Sequence, residues 1–121
     1  TTNDLEGSEV STREFLYIDD AVDAYLSLVE NIDKTKGEAY NIGSGEVFTI
    51  EELLILVLEK MESNLGIEYT KKDFPEISHQ YLDSSKIKRH TGWKPTTSLW
   101  VGLEKSIRRY YEYSVCFKNR K

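Results

Sequence analysis

Apolar residues recur at Ile18, Val22, Tyr25, Val29 and Ile32, three or four positions apart, as on one face of a helix. Just before them, Phe15 to Ile18 joins aromatic and branched residues in a strand-like run. Asp19 or Asp20 then stands where a carboxylate can accept hydrogen bonds from the free N–H groups of a helix start. "DKTKG" ends the helix, with Gly37 in the stop position. Ala39 to Ile42 predicts a second short strand, and Gly43, Ser44 and Gly45 a turn. Thr49 and Glu52 have the T-x-x-E spacing of a capping box ahead of the next helix. Leu53 to Leu58 is apolar on all sides, which predicts packing on more than one face. "LGIEYT" predicts a further strand, and Gln80 to Leu82 a short extended piece. Asp83 opens a short helix that ends near Gly92, and Pro95 forbids its early resumption. The last helix starts at Ser98, with Leu99, Leu103, Ile107, Tyr110 and Tyr111 inward and Glu104, Lys105, Arg108 and Arg109 outward. Trp93 and Trp100 are assigned to the core.

The order β-α-β-α-β-β-α-α predicts an α/β fold with short strands alternating with helices and parallel or mixed pairing. Strands of about four residues make a poor sheet by themselves. Something outside this chain is expected to complete it.

Composition narrows the class. The chain has 121 residues, 39% of them hydrophobic and 31% charged, which suits a soluble globular chain. No run approaches the roughly 18 apolar residues of a membrane span, and no signal segment opens the sequence. The first residue is Thr1 rather than Met, as in a processed or excised piece. Cys116 is the only cysteine, so an internal disulfide is excluded and a cytoplasmic setting is expected. The formal net charge of −5 argues against non-specific nucleic-acid binding. Charge is uneven along the chain: residues 1–30 hold eight acids and one base, Arg13, whereas residues 105–121 hold six bases and one acid. The basic tail reads as a solvated helix face whose cations suit the helix C-terminus.

Most catalytic signatures are missing from the sequence. "GSGE" is too short for a dinucleotide loop and is read as a tight turn. His79 and His90 stand eleven apart, and Cys116 is remote from both, so no metal-ligand spacing appears. Ser84, His79 and Asp83 could be assembled into a triad on paper, but nothing marks the serine as activated. Arg13 is the residue that stands out. A planar, always-charged guanidinium at a strand edge can grip phosphate in a cleft at the sheet end. The competing reading is an exposed salt bridge to Glu14 or Asp20.

Three landmarks now carry a resemblance. "REFLYIDDAVDAYL" resembles the R-[DES]-[FYW]-x-[YH]-[VI]-x-D-x-x-x-A segment of the extended short-chain dehydrogenase/reductases, the family of NAD(P)-dependent sugar-nucleotide epimerases and dehydratases. "GEAYNIGSGEVFTIEEL" resembles that family's next strand, glycine turn and capped helix. "LDSSKIKRHTGWKPTTSLWVGLEKSIRRYY" resembles its C-terminal signature, with Thr91 and Val101 departing from the usual apolar residue and Glu. "DDAVDAYL" and "EISHQYLDSSK" most resemble CDP-glucose 4,6-dehydratases, with dTDP-glucose dehydratases and UDP-glucose 4-epimerases similar enough to compete.

The resemblance implies the C-terminal, substrate-binding part of such an enzyme over residues 1–121, with the N-terminal Rossmann half absent. NAD or NADP would belong to that half, and this chain would bind neither alone. Its dinucleotide glycines and Y-x-x-x-K pair are not in this sequence: no tyrosine is followed four residues later by lysine. Arg13 resembles the arginine that grips the nucleotide pyrophosphate. Lys72, Gln80 and Tyr81 fall where the family approaches its substrate. The implied partners are a nucleotide-sugar and the missing Rossmann half. A homo-oligomer is expected, and neither nucleic acid nor membrane. The alternative is a non-enzymatic interaction module that uses the basic last helix and the sheet edge.

Overall fold

The structure is a computed structural model that describes residues 11–70 and 77–119. Among the described residues eight elements follow one another: β1 (Thr12–Glu14), α1 (Ile18–Glu30), α2 (Ile32–Thr35), β2 (Val47–Thr49), α3 (Ile50–Lys60), β3 (His79–Gln80), α4 (Ser85–Thr91) and α5 (Leu99–Lys118). The sheet is mixed, in the order β2-β1-β3. β1 runs antiparallel to β2, with Arg13 opposite Phe48, and parallel to β3, with Arg13 opposite Gln80.

Local signals placed the start of α3 and the end of α4, whereas the helix expected to stop at Gly37 is two helices, α1 ending at Glu30 and α2 at Thr35. Thr49 Oγ1 accepts from the Glu52 N–H at 3.0 Å, and Glu52 Oε2 accepts from the Thr49 N–H at 2.8 Å. These reciprocal bonds are the capping box, and they let β2 turn straight into α3. Asp83 Oδ1 accepts from the Ser85 N–H at 2.9 Å as α4 begins. That bond holds the Asp83 carboxyl below its ordinary range. Gly92 ends α4 at φ +76°, a left-handed conformation that favours glycine.

The strands moved. Phe15–Ile18 is not a strand: pairing falls on Thr12–Glu14, and Ile18 already belongs to α1. Neither Ala39–Ile42 nor 67–70 of "LGIEYT" forms a strand. A strand needs a hydrogen-bonding neighbour, and among the described residues these segments have none. The extended piece expected at Gln80–Leu82 pairs instead at His79–Gln80.

The core is small. Ala24, Ile87 and Trp93 are buried, and Leu16, Leu28, Tyr40 and Ile42 pack against them. Segment 38–42 is held to α4 without a strand. Lys86 Nζ donates to Glu38 Oε2 at 2.6 Å and to the Ala39 carbonyl at 3.0 Å, and Tyr40 Oη meets His90 Nδ1 at 2.7 Å.

Asp20 has a different job from the one expected of it. The N-cap of α1 is Tyr17, with no side-chain cap. Asp20 is 2% exposed. Its Oδ2 accepts from the Thr97 N–H and its Oδ1 from the Thr96 hydroxyl, both at 2.9 Å. Its own carbonyl accepts from Trp93 Nε1–H at 3.1 Å. One residue therefore ties the start of α1 to the segment that leads into α5.

The buried face of α1 is the Asp20–Ala24 line, not the expected stripe. Ile18, Val22, Tyr25, Val29 and Ile32, with Leu26, are exposed. Ala24 is small enough to seat the helix closely, and that contact turns the bulky stripe outward. On α3 no residue is buried, and Leu54 and Ile55 are exposed, so two-sided packing is also corrected. Along α5 the inward stripe holds at Leu99, Leu103 and Ile107, but Tyr110 and Tyr111 are exposed. Gly102 lets the Tyr17 ring lie against α5, where an added Cβ would stand 3.2 Å from Cδ2. Trp93 is core, whereas Trp100 is 49% exposed and carries the Lys60 ammonium 3.3 Å above its ring, a cation–π contact.

Candidate functional site: a pocket at the end of β1

β1 ends where two loops meet it. One is the glycine turn after Ile42, and the other is the segment after β3. Together they enclose a pocket of about 230 Å³. Arg13, Glu14 and Leu16 line it from β1, Ile42 and Gly43 from the turn, and Gln80, Tyr81 and Leu82 from the third segment. Arg13, Gln80 and Tyr81, picked from the sequence, thus share one cavity. Lys72 lies outside the described residues.

Arg13 is anchored by backbone. Its Nη1 donates to the Thr12 carbonyl at 2.7 Å and to the Ser78 carbonyl at 3.5 Å. A guanidinium is a planar fork of donors, and these bonds orient it. The carboxylates proposed as salt-bridge partners are otherwise engaged. Those of Asp20 go to Thr96 and Thr97, and those of Glu14 to the Gly45 and Leu82 amides. Arg13 is thus a guanidinium oriented by backbone carbonyls along the wall of a concave site.

The paper triad does not assemble. Ser84 Oγ donates to the Gly43 carbonyl at 3.4 Å, His79 Nδ1 pairs with Thr12 Oγ1 at 2.8 Å, and Asp83 is engaged by the Ser85 amide. Sequence reasoning missed Glu14. Its partners lie 31 and 68 positions away, and the only available signal was its place beside Arg13.

Helices alternating with the strands of a small mixed sheet, and a cleft at a strand end, make this an α/β Rossmann-like arrangement. Comparison with known proteins narrows this. Residues 5–43 match the model of the NAD dependent epimerase/dehydratase family, a stretch that includes Arg13, Glu14 and Gly43. The chain is 40% identical over 113 residues to GDP-L-fucose synthase 1 of Arabidopsis thaliana, covering 91% of this chain and 33% of that protein. It is 33% identical over 119 residues to UDP-D-apiose/UDP-D-xylose synthase 2 of the same plant, covering 85% of this chain and 30% of that protein. Among solved structures it superposes on a UDP-glucose 4-epimerase of Thermotoga maritima crystallised with UDP-glucose. That match has a TM-score of 0.79 at 29% identity and covers 88% of this chain and 34% of that one. The chain therefore spans about a third of the length of the proteins it matches. Its relatives are sugar-nucleotide epimerases, dehydratases and synthases.

Proposed function

We propose that residues 1–121 are the C-terminal, nucleotide-sugar-binding portion of an NAD(P)-dependent nucleotide-sugar 4,6-dehydratase or epimerase. The observation that carries this reading is the shared pocket. Arg13, Gln80 and Tyr81 come from distant segments and line one cavity, with the Arg13 cation held in place by backbone carbonyls. The relatives' names pair UDP, GDP and dTDP with different sugars. The group common to these compounds is the pyrophosphate, which a guanidinium fork binds well. "DDAVDAYL" and "EISHQYLDSSK" make CDP-glucose the first ligand to try.

In this reading a separate Rossmann half holds NAD or NADP, which accepts and returns hydride at the sugar when bound. The residues of this chain bind the nucleotide and orient the sugar. The exposed stripe of α1 and segment 39–42 supply the surface on which that half docks. The assembled protein is a homo-oligomer.

The purified 121-residue chain is expected to show no turnover of CDP-glucose, UDP-glucose or dTDP-glucose with NAD or NADP. Turnover above a blank would overturn the assignment of chemistry to another half. In the full-length parent, Arg13→Ala should weaken nucleotide-sugar binding about ten- to a hundredfold. One lost charge-assisted contact to phosphate is worth roughly 1.5–3 kcal/mol. Cofactor affinity should stay the same. Unchanged nucleotide-sugar affinity, measured by calorimetry, would remove Arg13 from the site and favour the interaction-module alternative.

A further inference from the structure

Glu14 lines the pocket beside Arg13, and its carboxylate joins the pocket's two loops. Oε1 accepts from the Gly45 N–H at 2.6 Å. Oε2 accepts from the Leu82 N–H at 2.7 Å. Gly45 belongs to the glycine turn on one wall, and Leu82 follows Gln80 and Tyr81 on the other. Both bonds are short, as charge-assisted bonds are. One side chain on β1 therefore spans the cleft floor and sets the distance between walls that no strand pairing joins.

The glycine turn is shaped to admit this carboxylate. A Cβ at Gly43 would run into Glu14, with Cδ only 2.8 Å away. Gly45, at φ +76°, turns its N–H toward Oε1 in a backbone conformation that side chains rarely adopt. Thus "GSG" is explained at both glycines by a single residue of β1.

We infer that Glu14 is a positioning residue for the nucleotide-sugar pocket. Its two oxygens clamp the 43–45 turn and the 80–82 segment, and so fix Gln80 and Tyr81 opposite Arg13. The inference rests on the proposed function for the identity of the ligand, but not for the clamp. Glutamate is the side chain this geometry requires. Aspartate is one methylene shorter and cannot reach both amides. Glutamine has one accepting oxygen, and its NH₂ group faces the second amide donor to donor.

The test uses the ¹⁵N-labelled 121-residue chain, with CDP-glucose and UDP-glucose as probes. The Gly45 and Leu82 amide protons should both be protected from solvent exchange, because one carboxylate accepts both. Glu14→Gln should remove that protection from at least one of the two and raise the Kd of the bound nucleotide-sugar at least tenfold. Gly43→Ala should weaken binding in the same direction from the opposite side of the clamp. Glu52→Gln removes a similar carboxylate–amide bond at the start of α3, away from the pocket, and should leave the Kd unchanged.

Equal affinity in Glu14→Gln and wild type would overturn the inference while leaving the proposed function standing. So would amides at Gly45 and Leu82 that exchange equally in Glu14→Gln and wild type. Loss of affinity in Glu52→Gln equal to that in Glu14→Gln would reduce Glu14 to general stability and also overturn it. Absence of any nucleotide-sugar binding by wild type, with both amides protected, has a different signature. It would take down the proposed function, and the positioning role with it.

Discussion

Asp20→Ala should lower the stability of the chain by about 3–5 kcal/mol, since each hydrogen bond to a buried charge is worth roughly 1.5–3 kcal/mol. Asp20 has two, from the Thr97 amide and the Thr96 hydroxyl, and the loss leaves the Thr97 N–H without its acceptor. Against a typical total of about 5–15 kcal/mol, many molecules would be unfolded at 37 °C. Asp20→Asn should cost less, because its oxygen can still accept one of the two bonds. The charge gives this prediction a pH signature. Burial pushes the Asp20 carboxyl up, but the hydrogen bonds from Thr97 and Thr96 outweigh it and hold the carboxyl below its ordinary value. A depressed folded-state pKa means that the contribution is complete above the unfolded value of about 3.9. It is lost as pH falls from there through the folded-state value. The gap between wild type and Asp20→Asn in urea unfolding should therefore be constant near neutrality and shrink below about pH 4. A gap that persists undiminished to pH 2 would show that Asp20 is not held as a charge.

The 121-residue chain should self-associate at micromolar concentration. Six large apolar side chains, Ile18, Val22, Tyr25, Leu26 and Val29 on α1 and Ile32 at the start of α2, are between 47% and 67% exposed. Burying such a side chain fully is worth about 1.5–3 kcal/mol, so the uncovered half of each leaves on the order of 5 kcal/mol unrealised. A patch of this kind marks an interaction surface. In the proposed parent the Rossmann half covers it, and without that half a second copy is the available cover. Sedimentation velocity should show dimers or larger species, and Val29→Glu should return the chain to monomer. A wild-type chain that stays monomeric at 100 µM (a concentration of about that order suits weak association) would show that this face needs no cover.

Where an element's cause lies within a few residues, the sequence determined the outcome. The Thr49–Glu52 box fixed the start of α3 because its partners are three residues apart. Gly92 ended α4, and the spacing of apolar residues located α1 and α5 as helices. The candidate site was also partly legible: Arg13, Gln80 and Tyr81 were picked from the sequence, and the fold brought them to one pocket.

Other features were settled only by tertiary structure, because periodicity shows that a helix has an apolar face but not which face finds a partner. On α1 the small Ala24 and the buried Asp20 took the contact, and the bulkier stripe was left outside. Strand propensity likewise cannot supply a neighbour. Phe15–Ile18 and Ala39–Ile42 have the composition of strands, but the pairing partners stand at Thr12–Glu14 and Val47–Thr49. Asp20 looked like a cap from its position, yet its acceptors serve donors 76 and 77 residues away. Glu14 looked like a neighbour for Arg13 and instead bridges two loops, because a carboxylate goes to whichever unpaired amides the folded chain brings within reach.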